Sequence, residues 1–290
     1  MIIAIQIMLK YALLQPFNVG ITLNWFGFAL LVLATLCIAS AGYIINDIND
    51  VDTDTINAPD DVIVGNTISE KTAYTLFIIF NIVGVVLGFY LSHLVGKSGF
   101  FAIFVIVSIL LYLYATYLKQ MLIVGNLLVA GLVAFTILIV GLFELFPAIT
   151  ESNFQTQQTF FRIMLDYAFF AFLLTLAREV AKDLQDYEGD KASELNTLAV
   201  YAGKAKGTKI LFVLILLPIA AVTYYILTYL YKQQIAVFYF LILILAPLIY
   251  TAIKSFNAKR KKQYSHISIM LKLIMVTGIF SLLIFKYILL

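Results

Sequence analysis

Charge is what this chain has least of. Of its 290 residues 12% are charged and 63% hydrophobic, whereas a soluble domain is about 25% charged and about 45–50% apolar. So few charged groups cannot cover a surface in water, which excludes a soluble protein and leaves an integral membrane protein. Cysteine is nearly missing too. Cys37 stands alone in an apolar run, which excludes a disulfide framework or a thiolate metal site within one chain. The two histidines, His93 and His266, fall outside the acidic clusters described below and read as interfacial residues, not acid–base catalysts. Motifs for hydride transfer, acyl transfer or a nucleophilic side chain are absent. The net charge of +3 gives no sign of a nucleic-acid partner.

What the chain has is long apolar runs, suited to helices of about 20 residues and not to the alternating ten-residue strands of a barrel. Residues 1–14 are expected to form a short or truncated first helix, turned by Pro16, without the basic leader and cleavage site of a signal peptide. Hydropathy places further spans at about 23–45, 70–94, 98–117, 122–146, 160–176, 210–231, 235–253 and 267–288. The expected architecture is an all-α polytopic membrane bundle of about nine helices, a single domain over 1–290. Residues 46–69 read as a polar excursion broken by Pro59 and Gly65. Within it, Thr67-Ile68-Ser69-Glu70 has the spacing of a capping box for the third helix. Thirteen basic residues, among them Lys71, Lys119, Arg178, Lys182 and the run Lys259-Arg260-Lys261-Lys262, fall on one side of such a bundle. Four fall on the other: Lys97, Arg162, Lys232 and Lys286. The positive-inside bias puts the first side in the cytoplasm of a cell (inner) membrane.

The scarce acids are concentrated. Asn46-Asp47-Ile48-Asn49-Asp50-Val51-Asp52-Thr53-Asp54 and Asp183-Leu184-Gln185-Asp186-Tyr187-Glu188-Gly189-Asp190 each follow an apolar run on that side. Their aspartates recur at 47, 50, 54 and at 183, 186, 190, steps of three and then four that stack on one helical face. One such cluster is compatible with a solvated turn. Two, each fused to the end of an apolar span, bring together carboxylates that repel unless a cation intervenes. All-oxygen ligation points to Mg²⁺, with Mn²⁺ as an alternative. Mg²⁺ typically takes one or two carboxylates plus substrate phosphate oxygens, so two facing banks suit a diphosphate bridged by about two or three metal ions. In an apolar bundle a prenyl diphosphate fits as donor, with a lipophilic acceptor and membrane lipid around it.

Asn46-Asp47-x-x-Asp50-x-x-x-Asp54 and Asp183-x-x-Asp186-x-x-Gly189-Asp190 resemble the paired signatures of the UbiA superfamily of intramembrane prenyltransferases. Tyr114-x-x-x-x-Lys119 ahead of Gly125-Asn126 extends the likeness, which covers essentially the whole chain. Arg178-Glu179-x-x-Lys182-Asp183 is similar to a run in the geranylgeranylglyceryl phosphate geranylgeranyltransferase branch, which makes archaeal-type ether lipids. The resemblance implies that Asn46, Asp50, Asp186 and Asp190 hold Mg²⁺ on the diphosphate. It casts Asp47, Asp54 and Asp183 as further ligands or partners of ligands, with Asp50, Asp54, Asp186 and Asp190 central to catalysis. It further implies that Lys119, Arg178 and Lys182 neutralise phosphate, and that Tyr114 and Asn126 contact substrate. For the basic residues the plainer reading is cytoplasmic anchoring, and for Tyr114 ordinary packing.

The chain departs from the family pattern in its basic residues. The usual Asn-Lys-Pro-(Asp/Glu)-Arg reads Asn57-Ala58-Pro59-Asp60-Asp61, and Gly-x-Lys-Thr-Leu-Pro reads Glu194-Leu195-Asn196-Thr197-Leu198-Ala199. An Arg-x-x-Asn-type entry near the start of the first helix is also missing. A weakened homologue that binds lipid or a partner is therefore one rival. A cation-dependent transporter is another, although transporter carboxylates sit near the bilayer midplane and both clusters here lie at one interface.

Overall fold

A computed structural model describes residues 1–286, and the side chain of Asp61 also lies outside the description, as do the last two residues expected in the 267–288 span. Among the described residues eight helices are long and apolar enough to cross a membrane: α2 (Trp25–Asn57), α3 (Glu70–Leu94), α4 (Ser98–Thr116), α5 (Val124–Ala148), α6 (Phe154–Gln185), α8 (Leu198–Leu230), α9 (Gln234–Phe256) and α10 (Lys261–Ile284). The shorter α1 (Ile2–Phe17) precedes them, and the six-residue α7 (Tyr187–Ala192) follows α6. The polytopic all-α reading holds, with a first helix too short to span. Pro16 lies in the last turn of α1, which ends at Phe17, and Asn18 takes a left-handed φ of 52° as its cap.

Helices α2, α6 and α8 run beyond the expected spans, α8 starting at Leu198 with a break at Gly203 and not near residue 210, and the cap of α3 also differs. Helix α2, capped by Asn24 accepting from Gly27 N–H at 2.8 Å, does not end near residue 45 but continues to Asn57. No glycine or proline interrupts 46–57, and the helix stops at Ala58 because the residue before Pro59 is driven out of the α region. The first acidic cluster is thus helical throughout. Helix α3 does start at Glu70, but its cap is Ser69, whose Oγ accepts from Thr72 N–H at 3.2 Å, and not Thr67. Helix α6 is longer than expected at both ends and breaks at Asp186 (φ −97°, ψ 9°). The trio 47, 50, 54 therefore shares one helix, whereas 183, 186 and 190 are divided among α6, the break and α7.

Two apolar cores form. One gathers α1, α2, Leu91 of α3, α4, α5, the first half of α6 and the end of α10; the other gathers the second half of α6 with α8, α9 and the rest of α10. Helices α6 and α10 belong to both, and α6 joins them along its length. Two-residue strands β1 (Met121–Leu122) and β2 (Asn196–Thr197) pair in parallel, Met121 with Asn196 and Leu122 with Thr197. That ladder pins the connection before α5 to the segment after α7. At the opposite end of the bundle a buried ion pair fixes α1. Lys10 Nζ donates to Glu144 Oε1 at 2.6 Å and to Leu23 O at 2.5 Å, with 1% and 0% of the two side chains exposed. Leu23 N–H donates to Glu144 Oε2 at 3.0 Å, and the ammonium lies 4.6 Å from the Phe28 ring centroid.

Candidate functional site

The carboxylate banks meet because α2 and α7 touch. Gly189 N–H donates to Asn57 Oδ1 at 3.1 Å, and Thr53 Oγ1 to Ser193 Oγ at 3.1 Å. A Cβ on Gly189 would lie 2.4 Å from the Asn57 amide, so only glycine allows this approach. From the other side, Lys261 Nζ at the start of α10 donates to Asn57 O at 2.5 Å, covering the C-terminal carbonyls of α2. Gly125 plays a similar part for Lys119: a Cβ there would come within 2.9 Å of the Lys119 backbone. The tight turn delivers Lys119 into an ion pair with Asp50.

Between these elements lies a cavity of about 690 Å³, within the ordinary range of ligand pockets. All twelve residues singled out in the sequence line it: Asn46, Asp47, Asp50, Asp54, Tyr114, Lys119, Asn126, Arg178, Lys182, Asp183, Asp186 and Asp190. Below this polar mouth the walls turn apolar, with Ile38, Leu111, Val133, Ala171, Leu174, Met275 and Ile279, and reach Met1, Ile2 and Ile5 of α1. On α2 the lining runs from Thr35 to Asn57, about 33 Å of helix. The cavity is polar at one end and suited to a long hydrocarbon along the rest.

The acids are held by specific partners. Asn46 Nδ2 donates to Asp50 Oδ2 at 2.6 Å, which leaves the buried Asn46 Oδ1 without a hydrogen-bond partner. Asn126 Nδ2 donates to Asp183 Oδ2 at 2.8 Å, and Thr197 Oγ1 to Asp190 Oδ2 at 3.2 Å. Burial, then the charge of Asp186, push the Asp190 carboxyl up to about 7 against the Thr197 hydrogen bond, and Asp50 and Asp54 add to the rise. Charges on α2 thus act on α7, the electrostatic mark of two facing banks. Asp186 is also raised, first by burial, while Lys182 and Lys261 oppose the shift.

Four groups at the site were not among the residues the sequence singled out. Glu179 binds the basic pair: Arg178 Nη1 donates to its Oε1 at 2.8 Å, and Lys182 Nζ lies 3.7 Å from its Oε2. The i, i+1 and i, i+3 positions of α6 make that clamp, so Arg178 and Lys182 share one carboxylate. Asn57 and Thr197 serve as spacers and hydrogen-bond donors or acceptors for the second bank. Lys272, in mid-α10, lines the cavity as well. Asn57 and Thr197 stood within the motif flanks; Lys272 stood alone in an apolar run, a signal hydropathy gives only as an unexplained charge.

The donor set fits a hard divalent cation: carboxylate oxygens, one orphaned amide oxygen, and no sulfur or imidazole. Among the described residues no group of three or more His, Cys, Asp and Glu side chains stands so as to hold a metal ion by itself. An open arrangement is what Mg²⁺ requires when substrate oxygens complete its shell.

Residues 17–275 match the UbiA prenyltransferase family. A digeranylgeranylglyceryl phosphate synthase of Methanosphaera stadtmanae is 31% identical over 257 residues, 87% of this chain and 86% of that protein. One of Metallosphaera sedula is 36% identical over 183 residues, 62% of this chain and 59% of that protein. Among solved structures, a UbiA homologue of Aeropyrum pernix K1 shares the fold at a TM-score of 0.68 and 12% identity, covering 96% of both chains. One of Archaeoglobus fulgidus, bound to GPP and Mg²⁺, does so at 0.55 and 19%, covering 97% of this chain and 96% of that one. With the family match spanning nearly the whole chain and the paired acidic banks on one cavity, the protein is a multi-pass membrane member of the UbiA prenyltransferase family.

Proposed function

We propose that the cavity binds a prenyl diphosphate with Mg²⁺ and transfers the prenyl group to a lipophilic acceptor bearing a glyceryl phosphate head. The observation that carries this is the pair of carboxylate banks on one cavity whose far end is apolar. When bound, Mg²⁺ neutralises the diphosphate oxygens and so assists departure of pyrophosphate. Asn46, Asp50, Asp186 and Asp190 are its proposed ligands, with Asp47, Asp54 and Asp183 completing or orienting the set. Lys119, Lys182 and the Nη side of Arg178 add positive charge where the leaving pyrophosphate develops negative charge. The allylic C–O bond breaks with both electrons leaving on pyrophosphate. The acceptor hydroxyl oxygen then bonds to that carbon and passes its proton to the released pyrophosphate. Tyr114, which lines the cavity between the banks and the apolar wall, presents a ring to the cationic carbon. The apolar walls keep water from it.

The acceptor class rests on the names of the relatives and on the Arg178-Glu179-x-x-Lys182-Asp183 run. A cytoplasm-facing mouth rests on the excess of basic residues at that end. The test is transfer from radiolabelled geranylgeranyl diphosphate to geranylgeranylglyceryl phosphate by purified protein with Mg²⁺. The expected result is labelled lipid and released pyrophosphate, both abolished in Asp50→Ala and in Asp186→Ala. Mg²⁺-dependent donor binding without turnover on any acceptor would instead favour the weakened homologue.

A further inference from the structure

Among the described residues the cationic side chains lining the cavity are Lys119, Arg178, Lys182 and Lys272. Three are engaged by carboxylates: Lys119 by Asp50, and Arg178 and Lys182 by Glu179. Among the described residues Lys272 has no ion-pair or hydrogen-bond partner. It stands eleven residues into α10, about 16 Å from the start of that helix. Its side chain is exposed in the fold and lines the cavity rather than the packed core, and an ammonium that far along a membrane-spanning helix is costly unless it serves a ligand or an aqueous path. Met275 and Ile279, at i+3 and i+7, line the cavity with it, so the helix face that carries Lys272 is the cavity face.

Its level in the cavity follows from the packing of α10 against α6. Thr175 Oγ1 donates to Met275 Sδ at 3.6 Å, and Tyr167 Oη lies 2.5 Å from Ser281 Oγ. These two contacts set an antiparallel register that brings Lys272 level with Arg178. Arg178 spends Nη1 on Glu179, while its buried Nε–H has no partner. An unpaired ammonium and an unpaired guanidinium N–H therefore sit at one level, more than a helical turn on the apolar side of Asp183. The prenyl carbon that reacts lies on the apolar side of its diphosphate, and the acceptor oxygen must meet it there. An anionic acceptor needs its cation at that level, beyond the metal-bound diphosphate.

We propose that Lys272, together with the Nε–H of Arg178, forms the anion subsite that holds the phosphate of the lipid acceptor. The subsite rests on the prenyl-transfer reading for its occupant, and it makes Lys272 a determinant of acceptor specificity. The test uses full-length protein in zwitterionic detergent, which removes anionic lipid as a competitor. Binding of geranylgeranylglyceryl phosphate, of its dephosphorylated alcohol, and of geranylgeranyl diphosphate with Mg²⁺ is measured for the native protein, Lys272→Met and Lys272→Arg. The native protein is expected to bind the phosphate at least tenfold tighter than the alcohol. Lys272→Met should bring the phosphate down to the alcohol's affinity and leave donor binding unchanged, which also shows that the variant is folded. Lys272→Arg should retain most of the preference. Equal phosphate and alcohol binding by the native protein, an undiminished preference in Lys272→Met, or a parallel loss of donor binding would overturn the subsite. Pyrophosphate release, followed separately, reports on the prenyl-transfer reading: its absence with the phosphate preference intact contradicts that reading and leaves the subsite standing.

Discussion

At the scale of single residues, the site holds more acid than its fixed cations offset, and proton and metal compete for it. Asp190, with its carboxyl raised to about 7, is largely protonated in the metal-free protein below that pH. An unfolded chain would ionise it near 4. Between about 4 and 7 the folded state thus binds more protons than the unfolded state, so the contribution of Asp190 to metal-free stability falls as pH rises through that window. Mg²⁺ needs the ionised form, and its binding should strengthen over the same range. Thermal unfolding at pH 6 and pH 8 is expected to show a larger stabilisation by Mg²⁺ at pH 8; an equal effect at both would contradict the role of Asp190. Asn126 offers a second check, since its amide donates to Asp183 at 2.8 Å. Replacing it with leucine removes a charge-assisted hydrogen bond, of about 1.5–3 kcal/mol. Prenyl transfer should fall by about tenfold or more in Asn126→Leu, measured as initial rate at saturating donor, while α-helical content by circular dichroism stays unchanged.

At the scale of elements, positions outside the acidic motifs decide whether the banks face each other. Gly189 lets α7 meet the end of α2, and a Cβ would strike Asn57. Gly189→Ala is expected to destabilise the protein by about 1–3 kcal/mol through overpacking and to weaken Mg²⁺-dependent donor binding. Asn57→Ala in the same chain should recover part of the stability; a double variant no better than the sum of the singles would contradict the clash. Legibility divides at this scale. The apolar runs announced every spanning helix, and the three-four spacing announced the first bank, because 46–57 contains nothing to break a helix. The break at Asp186, the β1–β2 ladder and the Glu179 clamp were not legible. The first is a backbone turn that no strong breaker marks and the second pairs residues far apart in sequence, whereas the clamp is local to α6 and depends on side-chain rotamers that spacing does not fix.

At the scale of the whole molecule, α6 joins two apolar cores, and α1 closes the far end of the cavity. The buried Lys10–Glu144 pair keeps α1 there, with hydrogen bonds to the backbone of Leu23. Removing one partner strands the other charge, at a cost of about 3–5 kcal/mol, whereas an apolar pair of similar volume is often neutral. Lys10→Met should therefore lower thermal stability sharply, and Lys10→Met with Glu144→Leu should restore most of it. A double variant as unstable as the single would show that the pair does more than hold α1. Composition made the membrane class evident, but nothing in the sequence paired Lys10 with Glu144 across more than a hundred residues.

The central claim is that the banks on α2 and on α6–α7 act as one diphosphate site. Its most direct test is calorimetric titration of a non-hydrolysable prenyl diphosphate analogue with Mg²⁺ into the native protein, Asp50→Asn, Asp186→Asn and the double variant. One shared site predicts that each single change loses nearly as much affinity as the double. Losses that simply add, or a single variant that binds like the native protein, would contradict it.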